Sequence, residues 1–188
     1  MAKLKAEVLK QMAGCRFLEN ESPEILNFFN EINQVSTDFS LFKLLGKCTD
    51  AQETVHVGMA IFLYKYESHF TAIVDLMCYL LIANGHDLLN QRKHAYVKSL
   101  EEIGDIDMYT KLEFLTAHNL AIFNRVEDRK LRNKIAHNQL ILNDDKKAQE
   151  AWKEVMARTY ELSGFIAQVL DVYTESAGEL RRKYHKEK

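Results

Sequence analysis

Between Ala51 and Ala83, the residues Val55, Met59, Phe62, Tyr66, Phe70, Ile73 and Met77 recur at intervals of three and four, the spacing that lines up one face of an α-helix. A helix of that length holds in water only when its apolar face is covered by other elements. One proline and seven glycines in 188 residues leave few sites for tight turns, so the covering elements are expected to be helices too. The expected fold class is therefore all-α, an antiparallel up-and-down helical bundle with additional short N-terminal helices. Residues 1–188 form one expected domain, since that length suits a single core.

Within residues 1–50, two or three short helices are expected to pack on the bundle. One begins at Ser22-Pro23-Glu24, where serine caps and proline takes the first helical position. Leu26, Phe29 and Ile32 or Val35 supply its apolar face. Asn84-Gly85 is a stop for the long helix, because both residues tolerate the left-handed backbone that ends helices. A shorter helix is expected from about Leu89 to Ile103, with a break at Gly104-Asp105. Leu112, Leu115, Ile122 and Val126 then mark a helix from Met108 that continues, straight or bent, to Ala136. After a connection over Asn138–Asn143, Asp144-Asp145 are placed to cap a last helix of some 35 residues, in the manner of acids at helix starts. Trp152, Val155, Met156, Tyr160, Phe165, Val169 and Tyr173 are its core or interface positions. Its basic end, Arg181-Arg182-Lys183, suits the negative pole of the helix dipole and reads as a solvated tail.

A formal charge of -2 gives the chain no overall attraction for nucleic acid or anionic membranes, so any such contact must come from a local patch. The apolar run from Thr71 to Ala83 is interrupted by Asp75 and is shorter than a membrane span requires. With no signal-peptide pattern at Met1–Glu7, a cytoplasmic protein is expected. Cys15, Cys48 and Cys78 are odd in number and widely spaced, which argues against a disulfide framework, a zinc knuckle or a redox pair. A di-iron bundle needs two Glu-x-x-His pairs, and only Glu53–His56 is present. Nucleotide-binding glycine loops and the nucleophile elbow of hydrolases are also missing.

One segment is equipped for chemistry: Arg132-Asn133-Lys134-Ile135-Ala136-His137. Arginine clamps phosphate through its planar fork, and histidine exchanges protons near neutrality, so together they point to phosphodiester chemistry without a metal. Arg125, Arg129 and Arg132 fall on one face of a continuous helix and form a cationic stripe that could follow a phosphate backbone. Asn133 and His137, four apart, are neighbours, so the amide is expected to hold one ring nitrogen. Arg132 and His137 stand roughly 140° apart around an ideal helix. They converge on one phosphate only through a helix end, a long arginine rotamer or a second copy of the motif.

This hexapeptide resembles the motif of the HEPN domains, helical bundles marked by an arginine, a polar residue that is often asparagine, and a histidine a few residues on. The resemblance is specific over Arg132–His137 and general over the flanking helices. It implies a homodimer whose paired motifs form one cleft and, in many members, RNA cleavage without metal or other cofactor. Arg132, Asn133 and His137 would be catalytic, and Arg125 and Arg129 would bind substrate. It further implies a toxin, phage-defence or RNA-processing setting, with an antitoxin or regulatory protein as a further partner. Where HEPN toxins paired with nucleotidyltransferase-type antitoxins carry a tyrosine two residues after the histidine, this chain has Gln139. The rival reading is a non-catalytic binding or scaffold bundle, in which Arg132 pairs with a helix-face acid such as Asp128 and His137 caps or packs against the next helix.

Overall fold

The computed structural model describes residues 40–140 and 144–186, together with Ala6 and Lys10, both helical. The helix expected at Ser22-Pro23-Glu24, its apolar face and Cys15 lie outside the described residues. The described chain is mostly helical, with two short strands. In order it runs α1 (Ser40–Leu45), α2 (Ala51–Tyr64), a π-helical turn (Lys65–Phe70), α3 (Thr71–Ala83), β1 (Leu89–Asn90), β2 (Ala95–Tyr96), α4 (Leu100–Gly104), α5 (Met108–Ala117), α6 (Ile122–Val126), α7 (Arg129–Ala136) and α8 (Asp145–Lys186).

Asp50 opens α2 by accepting the Glu53 N–H at 2.7 Å, and Glu53 returns its carboxylate to the Thr49 N–H at 2.7 Å. This reciprocal pairing satisfies donors that a helix start leaves open. The rod then passes through the π turn, where the Thr71 N–H reaches back five residues to the Tyr66 carbonyl. Wider winding changes the register of the faces without breaking the rod, and all seven residues of the apolar stripe remain buried. At the far end Gly85 adopts φ 85°, and His86 donates to the Leu81 carbonyl, which closes the helix as Asn84-Gly85 led one to expect.

The stripe is covered chiefly by α8, which packs along α2 and the π turn and also touches α6. Asp144 caps α8 through the Lys147 N–H at 2.8 Å, and at 42 residues the helix is longer than expected. Phe70, Phe123 and Phe165 bind the π turn, α6 and α8 together, with Phe123 edge-on to Phe165 at 5.1 Å. Close approach of α2 to α8 depends on Gly58, because a Cβ there would lie 2.8 Å from Trp152 Cζ3. Gly58→Val is therefore expected to cost about 1–3 kcal/mol through overpacking, despite its better helix propensity. Urea unfolding of the two proteins measures that difference; equal midpoints would show that Trp152 moves aside freely.

Two expectations from the sequence need correction. The helix expected over Leu89–Ile103 is instead a small hairpin, Leu89 opposite Tyr96 and Asn90 opposite Ala95, followed by the single-turn α4. The Asn90 side chain accepts the N–H groups of Arg92 and Lys93 at 3.0 and 3.1 Å, and that local turn competes with helix. The helix expected from Met108 to Ala136 is divided into α5, α6 and α7. Asn119 takes a left-handed backbone at φ 70°, and Leu120 donates to the Leu115 carbonyl, which ends α5. Glu127 is extended at ψ 126°, and Asp128 then caps a new helix through the Leu131 N–H at 3.1 Å.

Beneath these helices Lys111 of α5 reaches Asp75 of α3 with Nζ–Oδ1 2.7 Å, the two side chains being 3% and 15% exposed. Burial raises the Asp75 carboxyl above its ordinary range, against the opposing pull of the Lys111 hydrogen bond and charge. Burial likewise pushes up the Cys78 thiol, which suits an inert core residue. Among the described residues, no helix is long and apolar enough to cross a membrane, and no group of three or more His, Cys, Asp and Glu is placed to hold a metal ion.

Candidate functional site

α7 carries the hexapeptide, and three contacts set its position. Leu131 and Ile135 are buried toward the core, and α7 lies against α2. Asp128, besides capping α7, receives Arg158 Nε of α8 at 3.1 Å. Tyr66 of the π turn donates its hydroxyl to Glu127 Oε1 at 2.6 Å, fixing the joint just before the helix. Burial, this hydrogen bond and the neighbouring carboxylates drive the Tyr66 hydroxyl far above the ordinary tyrosine range, so it stays protonated and keeps donating.

The outward face of α7 borders an open groove of about 290 Å³ between the π turn, the start of α5 and α7 itself. Arg129, Arg132 and Asn133 line it from α7, Lys111 from α5, and Tyr66 and Glu67 from the π turn. Arg132 Nε is 2.5 Å from Glu67 Oε1, and Arg132 Nη1 donates to Asn133 Oδ1 at 3.1 Å. The guanidinium is thus held at the groove by two neighbours, yet Arg132 remains 35% exposed. Lys111 is committed to Asp75, whereas Arg129 has no carboxylate partner among the described residues and lies over the Tyr109 ring, 5.6 Å from its centroid.

The groove therefore gathers Arg129, Arg132 and Asn133, and leaves out two residues of the sequence reading. Arg125 is exposed on α6, across the break at Glu127-Asp128, so the three arginines do not form one stripe. His137 is the C-cap of α7, exposed and absent from the groove lining. The expected hydrogen bond from the Asn133 amide to His137 is not formed; the hydrogen bond that the Asn133 side chain makes is through its oxygen, to Arg132. Asn138 turns the chain at φ 52° just beyond, with Gln139 donating to the Lys134 carbonyl at 2.7 Å, so His137 stands where the helix is shut off.

Lys111 joins the site only through tertiary structure, and Glu67, whose place on the long helix suited a surface acid as well as one backing the Arg/His cleft, is brought to Arg132 by it. Glu67 lies on the helical run already visible in the sequence, but nothing local tells that it faces a residue 65 positions on. The acid expected to meet Arg132 in a scaffold, Asp128, is engaged with the α7 backbone and Arg158 instead.

An exposed ion pair such as Glu67–Arg132 contributes at most about 1 kcal/mol to stability. Glu67→Gln is accordingly expected to leave the unfolding midpoint nearly unchanged. By releasing Arg132 from a competing carboxylate, it is also expected to tighten binding of a phosphate-bearing ligand by up to about fivefold. Titration of a labelled oligoribonucleotide at fixed salt reads this, and weakened binding would instead make Glu67 a residue that aims Arg132. Comparisons with protein-family models, with curated proteins and with solved structures return no match.

Proposed function

We propose that the chain is a metal-independent RNA endonuclease of the HEPN type, one domain built as an antiparallel helical bundle and acting as a homodimer. The observation that carries this reading is the division of α7. Arg132, Asn133 and Arg129 border an open groove at one end, and an exposed His137 closes the other. A two-fold partner that brings the ends of two α7 helices together supplies a histidine to each groove, which a single chain does not do by itself.

In that cleft, one His137 takes the proton of the 2′-hydroxyl as its oxygen attacks phosphorus. The bond from phosphorus to the 5′-oxygen breaks, and the same imidazole, now protonated, returns that proton to the leaving oxygen. Arg132 stabilises charge on the non-bridging oxygens, and Asn133, bonded to the Arg132 fork, keeps it aimed. The products are a 2′,3′-cyclic phosphate and a 5′-hydroxyl, and DNA is inert because it lacks the nucleophile. A toxin or phage-defence role in the cytoplasm, with an antitoxin or regulatory protein as partner, belongs to the same reading through the resemblance.

The second reading, a non-catalytic binding or scaffold bundle, is favoured by one observation: within the single chain Arg132 already pairs with Glu67 while His137 lies off the groove. Incubating labelled RNA with the protein in EDTA and identifying the product ends separates the two. Cyclic phosphate ends support the nuclease, whereas intact RNA across varied substrates supports the scaffold.

A further inference from the structure

Tyr109, at the start of α5, is 52% exposed, an unusual position for a large aromatic ring to be held from two sides. The Arg129 guanidinium covers one face at 5.6 Å from the ring centroid. The Glu113 carboxylate, one turn on, takes the hydroxyl's hydrogen bond and with its charge raises the tyrosine's pKa. Arg129 in turn lines the groove beside Arg132. The ring is thereby held against Arg129, a residue of the groove lining to which Tyr109 itself does not belong, and that cation has no carboxylate partner among the described residues.

A rigid, exposed aromatic beside arginines is how proteins take up unpaired nucleobases: the cations follow the backbone while the ring offers its face to a base. Duplex RNA hides its base faces in the stack, so such a platform serves single strands. We propose that Tyr109 is a base-stacking platform, binding a nucleobase of single-stranded RNA adjacent to the phosphate held at Arg129 and Arg132. The inference rests on the RNA reading of the groove and adds a substrate class to it. Stacking is tolerant of base identity, so the platform selects for strandedness more than for sequence. Arg129 has two tasks here, attracting phosphate and backing the ring. Tyr109 acts on binding and takes no part in proton transfer.

The test is equilibrium binding of the full chain to a fluorescent single-stranded 2′-O-methyl oligoadenylate, which lacks the attacking hydroxyl and so is not consumed. A backbone of equal length without bases is titrated alongside. Tyr109→Ala is expected to weaken oligoadenylate binding about tenfold, within the range that stacking contributes per base, and to leave binding of the base-free backbone unchanged. Tyr109→Phe, which keeps the ring, is expected to bind like wild type. Both variants should melt with wild type, since the ring is half in solvent. Equal loss on both ligands would overturn the stacking role, because it would mean that Tyr109 only supports Arg129. No loss on either overturns it as well. If wild type binds neither ligand while remaining folded, the RNA reading itself fails and the platform with it. An Arg132→Ala protein that loses both ligands, beside a Tyr109→Ala protein that loses neither, would sink the platform alone.

Discussion

Wild-type protein is expected to cleave single-stranded RNA in EDTA, and His137→Ala to slow that cleavage about 10²- to 10⁴-fold, the range that a positioned acid or base supplies. Arg132→Ala is expected to cost about 10²- to 10³-fold by removing charge stabilisation at phosphorus. Neither change should unfold the protein. His137 is an exposed C-cap, and Arg132 contributes a surface ion pair and a hydrogen bond to its neighbour.

Mixing the two dead variants tests the dimer separately. If each site draws Arg132 from one protomer and His137 from the other, one of the two sites in every mixed dimer is intact. Random exchange would then restore about a quarter of wild-type activity. Cleavage that survives His137→Ala, or that needs a divalent metal, would overturn the mechanism. A mixture that stays dead while wild type cleaves would place both residues of a site on the same chain.

The second large effect is expected on stability. Lys111→Met removes the buried cation that faces Asp75 and leaves a carboxylate only 15% exposed without its partner. Breaking a buried pair from one side costs about 3–5 kcal/mol at neutral pH. The pH dependence has a definite sign. The Asp75 pKa is already raised in the folded protein, by burial above all, and loss of Lys111 raises it further. Such a group favours the folded state most below its unfolded pKa, and that benefit is lost as pH rises through its folded value. The deficit of Lys111→Met relative to wild type should therefore shrink toward acid and reach full size above the folded Asp75 pKa. Urea unfolding of both proteins from pH 4 to 7 measures this. A deficit independent of pH would mean that lost packing of the lysine stem, and not the orphaned carboxylate, sets the cost. Because Lys111 also lines the groove, RNA binding by this variant is read only where the protein is fully folded.

What could be read in advance follows from how local each signal is. The stripe from Val55 to Met77 needs only the helical repeat, and those residues are buried. Gly85 and Asp144 mark helix ends through their own backbone and side-chain preferences, and both do so in the structure. The π turn has no such signature, because one wider turn leaves an apolar stripe looking continuous. The breaks after α5 and before α7 were written in Asn119 and Asp128, but the apolar spacing across them still fitted a helix and outweighed those single residues. The hairpin at Leu89–Tyr96 is too short to impose a two-residue period on its apolar side chains.

The candidate site divides along the same line. The hexapeptide, its arginine, amide and imidazole, and the resemblance that it carries were all present in six consecutive residues. Its surroundings were not. Glu67 meets Arg132 across 65 positions, Lys111 meets Asp75 across 36, and Arg129 meets Tyr109 across the two breaks that separate α5 from α7.

The sequence by itself determined the helical class of this protein, the course of its longest helices and the residue types of its candidate chemistry. These follow from periodicity and from groups within a turn of each other. Tertiary structure alone decided that Arg132 faces a shared groove while His137 and Arg125 do not, and which acids meet which cations. Packing fixes the rotation of each helix about its axis, and that rotation selects partners far apart in the chain.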